Sequence, residues 1–276
     1  MKILTKYQEQ LKNIIPDGSF VIVNNPQTAK FKYLKEYYKF LHADFPLKSE
    51  LPTLKEFTQV LEKDHTPASI PKFKKGESKE NWIFIIKNKK PIATINFDLL
   101  CLAPEVYAGL IIFIHTKKEC RGLGLGELLL NLAEDLIKKE LLPAQKIKWN
   151  LKHLKYIGLF AEINDLKKMA DKNKNYKKYQ KDNKKLLNFW HKMKFKKIDF
   201  NYNQPSFGAG AVPILSLIYK SSATVKSIPQ KTLINFLERF TEFTISNKTA
   251  ARRDPTLNKM EKELKGRKKI KLTNLK

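Results

Sequence analysis

The chain has 276 residues, of which 42% are hydrophobic and 29% charged, and a formal net charge of +27. This hydrophobic share excludes a wholly disordered chain, and the longest apolar run, residues 106–114, is much shorter than the roughly 20 residues of a membrane-spanning helix. Cys101 and Cys120 have no histidine at metal-ligand spacing, so we expect neither a disulfide framework nor a metal site. We expect a protein of the reducing cytoplasm.

The positive charge indicates nucleic acid as one class of partner. However, only five of the 54 basic residues are Arg, the residue favoured for bidentate contacts with phosphates and bases. An AT-rich coding sequence produces such Lys-rich composition without selection for binding. Nucleic-acid binding is therefore possible but not favoured.

The first half of the chain has the pattern of a strand, two helices and three strands. Residues 19–25 form a β-branched and aromatic run that ends in Asn-Asn-Pro, which predicts a strand and a turn. Apolar residues at spacings of three and four predict helices over 29–45 and 54–61. Three closely spaced strands follow, at 82–87, 91–99 and 105–115.

The second half alternates helices and strands and ends in a basic tail. The expected elements are a helix after residues 121–126, a strand at 156–163, a helix at 186–193, strands at 196–201 and 212–219, and a helix that starts at Ser227. Residues 166–197 carry thirteen Lys against two Asp, which predicts a solvated helix or loop. Residues 247–276 have eleven basic and three acidic residues and little core character, so we expect this tail to be partly mobile.

One motif carries chemistry: the glycine loop Arg121-Gly122-Leu123-Gly124-Leu125-Gly126, between a predicted strand and a predicted helix. It is not the dinucleotide fingerprint, because the third glycine would fall on Glu127 or Leu129. Successive backbone N–H groups at a helix N-terminus can instead bind a pyrophosphate. The alternative is a turn without a ligand.

The glycine loop resembles the acyl-CoA loop of the GNAT superfamily of N-acyltransferases, [QR]-x-x-G-x-[GA]. A second stretch, residues 183–195 (NKKLLNFWHKMKF), resembles that family's N-x-x-A-x-x-F-Y-x-x-x-G-F segment. The order of the predicted elements is also similar to the family's. A GNAT-like subgroup is similar in three further segments: Glu162-Ile163-Asn164-Asp165, Phe189-Trp190 and Tyr202-Asn203-Gln204-Pro205.

The resemblance implies an α/β (α+β) fold with a mixed, mainly antiparallel central sheet flanked by helices. It implies a GNAT-like domain over residues 1–225 with a Lys-rich insertion at 166–185, to which we add a docking helix at 226–246 and the basic tail at 247–276. It also implies an N-acetyltransferase in which an amine attacks acetyl-CoA directly. The residues expected to bind this cosubstrate are Ile114, His115, Thr116, Arg121, Gly122, Leu123, Gly124, Leu125, Gly126, Glu127, Asn183 and Trp190.

Three departures from the family pattern bear on catalysis. Trp190 replaces a Tyr that serves as general acid, and an indole does not titrate. Ile112 replaces a glutamate base on the third strand of the meander, and Lys194 replaces a glycine, which predicts a different turn. The alternative function is therefore a catalytically weak GNAT-like protein that binds acyl-CoA or associates with RNA or ribosomes.

An alkylamine acceptor, with a pKa of about 10.4, needs a base because it is almost wholly protonated at neutral pH. Glu162, at the end of a strand, is the first candidate base, with Asp165 three residues on, and His115 is the second. Tyr202 is a candidate donor to an oxygen or thiolate. The sequence does not identify the acceptor, although the many Lys residues favour a neutral or anionic one over a strongly cationic one.

Overall fold

The protein is represented by a computed structural model that describes residues 2–16, 20–24, 37–39, 41, 53–54, 81–165, 168, 176–205, 215–245 and 251–275. The chain divides into two compact units. Unit 1 comprises residues 1–73, 78–99 and 111–153, and unit 2 comprises 74–77, 100–110 and 154–276. None of the helices in the described ranges combines the length and apolar composition needed to cross a bilayer.

Unit 1 contains the first strands of the sheet and the helix that follows the glycine loop. Its elements are α1 (Lys2–Ile14), β1 (Phe20–Asn24), β2 (Asn81–Lys87), parts of β3 (Lys90–Ala103) and β4 (Val106–Thr116), α2 (Leu125–Leu136), a π-helical turn (Ile137–Leu141) and α3 (Leu142–Lys148). The strand order is β1-β2-β3-β4, and β2 is antiparallel to both β1 and β3. The predicted meander is confirmed, whereas α1 was not predicted.

A tight hairpin joins β2 to β3. Asn88 and Lys89 have φ values of 48° and 60° and lie between the paired residues Lys87 and Lys90. Left-handed backbone at both central residues is the geometry of a type I′ turn, whose twist matches that of the flanking strands. The polar four-residue link seen in the sequence is thus a two-residue loop.

Apolar periodicity explains which face of α2 is buried. Its predicted apolar face is buried throughout: Leu128, Leu129, Leu132, Ala133, Leu136 and Ile137. The two helices predicted at 29–45 and 54–61 lie mostly outside the described residues. Within them, Tyr37 and Leu41 are helical and fully buried in a cluster with Trp82 and Phe84.

Unit 2 contains the rest of the sheet. Its elements are the remaining parts of β3 and β4, β5 (Lys155–Asn164), α4 (Tyr176–Lys192), β6 (Lys196–Ile198), β7 (Leu215–Ser221), β8 (Ser227–Pro229), α5 (Gln230–Ile245), α6 (Pro255–Leu264) and β9 (Lys269–Thr273). The order is β4-β5-β7-β6-β9-β8, with antiparallel pairing from β5 to β8. The N–H of Lys155 donates to the carbonyl of Glu105 over 2.7 Å, so β4 and β5 start at the same end and run parallel. The prediction of a mixed, mainly antiparallel sheet flanked by helices is confirmed.

The end of α4 corrects the expectation of a different turn at Lys194. Lys194 has a φ of 66°, the left-handed conformation that a glycine would adopt there. Its N–H donates to His191, and the N–H of Phe195 donates to Trp190. Because the rings of Phe195 and Trp190 also pack at 4.7 Å, all parts of a Schellman motif are present without glycine.

The C-terminal segment corrects a second expectation. Residues 251–275, predicted to belong to a partly mobile tail, contain α6 and β9. Strand β9 pairs with both β6 and β8. Core residues of this segment are Ala251, Leu257, Met260, Leu264, Ile270 and Leu272. The high Lys content of this segment therefore does not prevent its apolar residues from forming part of the core.

Two predicted boundaries also change. The strand predicted at 196–201 ends at Ile198. The helix predicted from Ser227 starts at Gln230, because residues 227–229 pair with β9. The second shift has a tertiary cause: the C-terminal segment supplies a strand partner that local sequence cannot show.

Candidate functional site

In unit 1, the glycine loop joins the end of β4 to α2. A short 3-10 turn, Lys118–Cys120, precedes it, and Gly122 and Gly124 have φ values of 88° and 84°. A Cβ on either glycine would meet no atom within 4 Å. Backbone conformation, rather than lack of space within the protein, is therefore what requires glycine at these two positions.

The first turn of α2 offers backbone donors. Gly124 is the N-cap and provides no side-chain acceptor, and the first intrahelical bond runs from Leu128 N–H to Gly124 over 3.0 Å. The N–H groups of Leu125 and Gly126 precede that bond and have no acceptor within the helix. Together with the positive end of the helix dipole, they can hold an anion such as a phosphate.

Arg121 ties the glycine loop to the preceding strand. Its Nε donates to the carbonyl of Thr116 over 3.1 Å, and its backbone is extended. The neighbouring predicted residues differ in exposure: His115 is buried, whereas Ile114 and Thr116 are half-buried. Leu123, also predicted to contact the cosubstrate, is 44% exposed.

In unit 2, the structure assembles a cluster around Glu162 on β5. The hydroxyl of Tyr202 donates to Glu162 Oε1, and Nε2 of Gln204 donates to Oε2 over 2.8 Å. Glu162 itself is half-buried, but both donors are buried, with exposed fractions of 1% and 7%. Both carboxyl oxygens are thus held in place by side chains that lie about 40 residues away in sequence.

Burial raises the pKa of Glu162 to about 7, although the hydrogen bonds from Tyr202 and Gln204 act to lower it. The pKa of Tyr202 is also raised well above its usual value by burial and by the adjacent Glu162. Tyr202 is therefore a neutral donor at physiological pH, and Glu162 exchanges its proton near neutrality. A carboxyl tuned in this way suits general acid or base chemistry.

Asp165, three residues further on, has the opposite character. Burial acts to raise its pKa, but Nζ of Lys197 at 2.7 Å and Oγ of Ser216 at 2.6 Å outweigh that effect and lower the pKa to about 2. Asp165 therefore remains ionised and paired at neutral pH. The two carboxyl groups at this strand end therefore have pKa values shifted in opposite directions.

The two cosubstrate candidates on α4 lie in the interior of unit 2. Asn183 is buried, and its Oδ1 accepts from Nδ2 of Asn164 over 3.3 Å. Trp190 is 3% exposed and packs against Phe189 and Phe195. Among the described residues, no acceptor lies within hydrogen-bond distance of its buried Nε1.

Gln204 was not predicted as a site residue. It stands in the Tyr202-Asn203-Gln204-Pro205 segment that carries part of the family resemblance, so a signal was present. Its Oε1 is buried and has no hydrogen-bond partner in the described part of the chain. Lys168 was also missed: its Nζ donates to the carbonyls of Tyr202 and Leu215 over 2.5 and 3.0 Å.

The order of elements along the chain is the one that the resemblance implies. A strand is followed by helical residues, a three-stranded meander, the glycine loop with its helix, a strand, a helix and two more strands. The chain thus has a mixed, mainly antiparallel sheet flanked by helices, as that resemblance implies. In this fold, β7 lies between β5 and β6, an order that chain connectivity alone does not dictate.

No protein-family model and no curated protein matches the sequence. Among similar solved structures, Arabidopsis thaliana NAA60 in complex with acetyl-CoA is 11% identical, covers 74% of this chain and 99% of its own, and has a TM-score of 0.44. The ribosomal-protein-S18-alanine N-acetyltransferase from Escherichia coli is 13% identical over 75% of this chain and 96% of its own, at a TM-score of 0.39. A tandem GNAT protein from the clavulanic acid biosynthesis pathway is 13% identical to this chain, at a TM-score of 0.36. The match covers 53% of this chain and 37% of that protein.

Proposed function

We propose that this protein is an N-acetyltransferase that transfers an acetyl group from acetyl-CoA to an amine. The observation that carries the proposal is the Glu162 carboxyl, whose pKa of about 7 and two buried donors suit a general base. The GNAT-like fold and the glycine loop support it.

The glycine loop would hold the diphosphate of acetyl-CoA. Its left-handed Gly122 and Gly124 and the uncapped N-terminus of α2 are suited to phosphate oxygens. Acetyl-CoA supplies an acetyl group activated as a thioester; an uncharged amine attacks its carbonyl carbon directly, the carbon–sulfur bond breaks, and CoA leaves as the thiolate. The remaining task of the protein is to make that amine available.

Glu162 would accept the proton that the amine loses. At pH 7 about half of a group with a pKa of about 7 is ionised. Tyr202 and Gln204 each occupy one of its oxygens, and this keeps the plane of the carboxylate fixed. His115, a buried residue near the end of β4, is the second candidate base.

The pKa of the base favours one class of acceptor. Peptide α-amino groups have pKa values of about 7.7–8.0, against about 10.4 for the Lys side chain. Proton transfer to Glu162 is therefore nearly balanced for an α-amine and strongly uphill for a Lys amine. We propose an α-amino group or another weakly basic amine as acceptor, neutral or anionic because of the net charge of +27.

Calorimetric titration of acetyl-CoA and a transfer assay with neutral and acidic peptides test the proposal together. The wild type should bind acetyl-CoA and acetylate α-amines faster than Lys side chains. Glu162→Gln keeps the shape of the side chain but removes the base, so transfer should fall by about 10²-fold or more while acetyl-CoA affinity stays within twofold.

Three outcomes would contradict the proposal. A wild type that binds no acetyl-CoA would remove the enzyme function altogether. Full transfer activity in Glu162→Gln would remove Glu162 as base, and a matching His115→Gln variant would then test the second candidate. Acetyl-CoA binding without transfer to any amine would favour the alternative of an acyl-CoA-binding protein.

A further inference from the structure

Helix α6 contacts the segment that carries the two donors to Glu162. Three hydrogen bonds join its residues, or the turn that follows it, to residues 199–203. They run from Asn201 N–H to Glu263 Oε1 at 2.9 Å, from Asn203 N–H to Met260 Sδ at 3.4 Å, and from Arg267 Nη2 to the carbonyl of Asp199 at 2.9 Å.

These bonds flank Tyr202 on both sides. The bonded N–H groups belong to Asn201 and Asn203, its two chain neighbours, while its own carbonyl accepts from Lys168. The backbone is therefore held at consecutive residues. This constraint fixes the place from which the side chains of Tyr202 and Gln204 reach Glu162.

Helix α6 is itself firmly anchored. Asp254 caps its N-terminus by accepting from Leu257 N–H at 2.9 Å, and Pro255 occupies the first turn. Leu257, Met260 and Leu264 are buried, and the carbonyl of Leu264 accepts from Gln230 on α5 over 3.0 Å. A helix held at both ends is a rigid support for residues 199–203.

Glu263 is the residue of α6 with the clearest link to that segment. Its side chain is 36% exposed and contributes little to the core, yet its Oε1 accepts the Asn201 N–H and lies 4.0 Å from Nη1 of Arg267. A charged acceptor strengthens a hydrogen bond to a backbone N–H. The geometry suits orientation of the segment more than packing.

We propose that α6 positions the Glu162 site, and that Glu263 is a positioning residue which, by holding Asn201, keeps Tyr202 and Gln204 in place to donate to the Glu162 carboxylate. The role of Glu162 as a base, on which this inference depends, comes from the proposed function. It makes the C-terminal segment, which the sequence marks only as a basic tail, part of the catalytic apparatus.

The test compares Glu263→Ala, which removes the acceptor, with Glu263→Gln, whose amide oxygen can still accept from Asn201. Lys262→Ala is the matched control, because Lys262 is exposed on the same turn of α6. The readout is the titration of the Glu162 side-chain carbon by NMR in ¹³C-glutamate-labelled full-length protein, with Glu162→Gln to assign the signal. This measurement does not depend on activity.

Among the described residues, Tyr202 and Gln204 donate to the Glu162 carboxyl and lower its pKa, whereas burial raises it. Weaker donation in Glu263→Ala should raise the titration midpoint by about 0.5 pH unit, and should lower the ionised fraction at pH 6, and with it kcat/KM, about threefold. Glu263→Gln and Lys262→Ala should titrate like the wild type.

An unchanged midpoint in Glu263→Ala would overturn the inference, as would an equal shift in Lys262→Ala. Unfolding curves of all variants separate loss of α6 from loss of positioning, because a positioning effect appears in a fully folded protein. A wild-type midpoint near 4.5 would instead contradict the proposed role of Glu162, so failure of the proposed function and failure of this inference are distinguishable.

Discussion

The glycine loop of unit 1 and the Glu162 cluster of unit 2 are built in different ways. The glycine loop consists of six consecutive residues, and its donors are backbone N–H groups exposed by an uncapped helix. The Glu162 cluster consists of side chains separated by 40 and 42 residues in sequence, and a third segment of the chain supports it. One depends on local conformation, and the other on tertiary packing.

This difference decides how each region responds to change. A backbone site is altered mainly by substitutions that add a side chain or a charge to the loop itself. A side-chain cluster is altered by any residue that maintains its burial or its donors, however distant in sequence. The four predictions below probe this contrast, in order of decreasing expected effect.

The largest effect should come from Asp165→Asn, which removes the ionised partner of Lys197 and Ser216. We expect the free energy of unfolding at pH 7 to fall by about 2–4 kcal/mol, measured by urea denaturation. Because its pKa is lowered to about 2, Asp165 stabilises the protein above about pH 4, and this contribution is lost as the pH falls through 2. The difference between variant and wild type should therefore shrink in acid.

Lys138→Gln is the control, since Lys138 is 43% exposed and the change breaks its i,i+4 pair with Glu134 from the exposed side. This substitution should lower the free energy of unfolding by no more than about 0.5 kcal/mol. Equal losses in the two variants would show that the Asp165 cluster adds no more than a surface pair.

Glu162 should show the opposite dependence on pH. Because its pKa is raised to about 7 from 4.5, the folded protein binds more protons than the unfolded chain between these values. The stability that this proton provides is complete below about pH 4.5 and is lost as the pH rises through 7. As the pH rises from 5 to 8, the free energy of unfolding of Glu162→Gln should therefore increase by about 1–3 kcal/mol relative to that of the wild type. Urea denaturation at four pH values measures this difference.

The trend of that difference with pH is the decisive quantity, because Gln also changes the hydrogen bonds to Tyr202 and Gln204. A difference that stays constant from pH 5 to pH 8 would contradict the raised pKa of Glu162.

Charge at the glycine loop should have a smaller effect, confined to ligand binding. Asn and Asp have nearly equal size and both tolerate the left-handed backbone of Gly124, so the pair isolates the charge. We expect Gly124→Asp to bind acetyl-CoA at least about tenfold more weakly than Gly124→Asn, by calorimetry, because a carboxylate at this position repels the diphosphate.

The same pair at Gly266 is the control, since Gly266 is also left-handed, with a φ of 87°, and also open to added atoms. Gly266→Asp and Gly266→Asn should bind acetyl-CoA equally well. Equal affinities of the two Gly124 variants would show that the glycine loop does not hold the diphosphate.

The smallest effect should appear at Lys194, where a left-handed residue of unit 2 is not glycine. Lys194→Gly should stabilise the protein by about 0.5–1 kcal/mol, because glycine adopts this conformation without steric strain. Lys184→Gly, in the interior of α4 and exposed, should destabilise it by about 1 kcal/mol. Thermal unfolding of both variants checks the opposite signs.

Several features of the fold could be predicted from sequence because they depend on local pattern. The meander, α2 and its buried face, and β5 follow from apolar periodicity, and the glycine loop follows from the residue types that left-handed turns require. Helix α1 was missed, although its apolar residues Tyr7 and Leu11 are four apart and buried. The catalytic candidates Glu162 and Tyr202 were identified only as separate residues.

The sequence by itself determined the order of the meander, α2, β5, α4, β6 and β7 and the position of the glycine loop, since these result from interactions between near neighbours in the chain. Only the tertiary structure decided that Tyr202 and Gln204 donate to Glu162, that Asp165 pairs with Lys197, and that a Lys-rich C-terminal segment supplies α6 and β9. The side-chain bonds among those contacts join residues 32 to 42 positions apart, and the burial that sets the pKa of Glu162 exists only once the chain has folded.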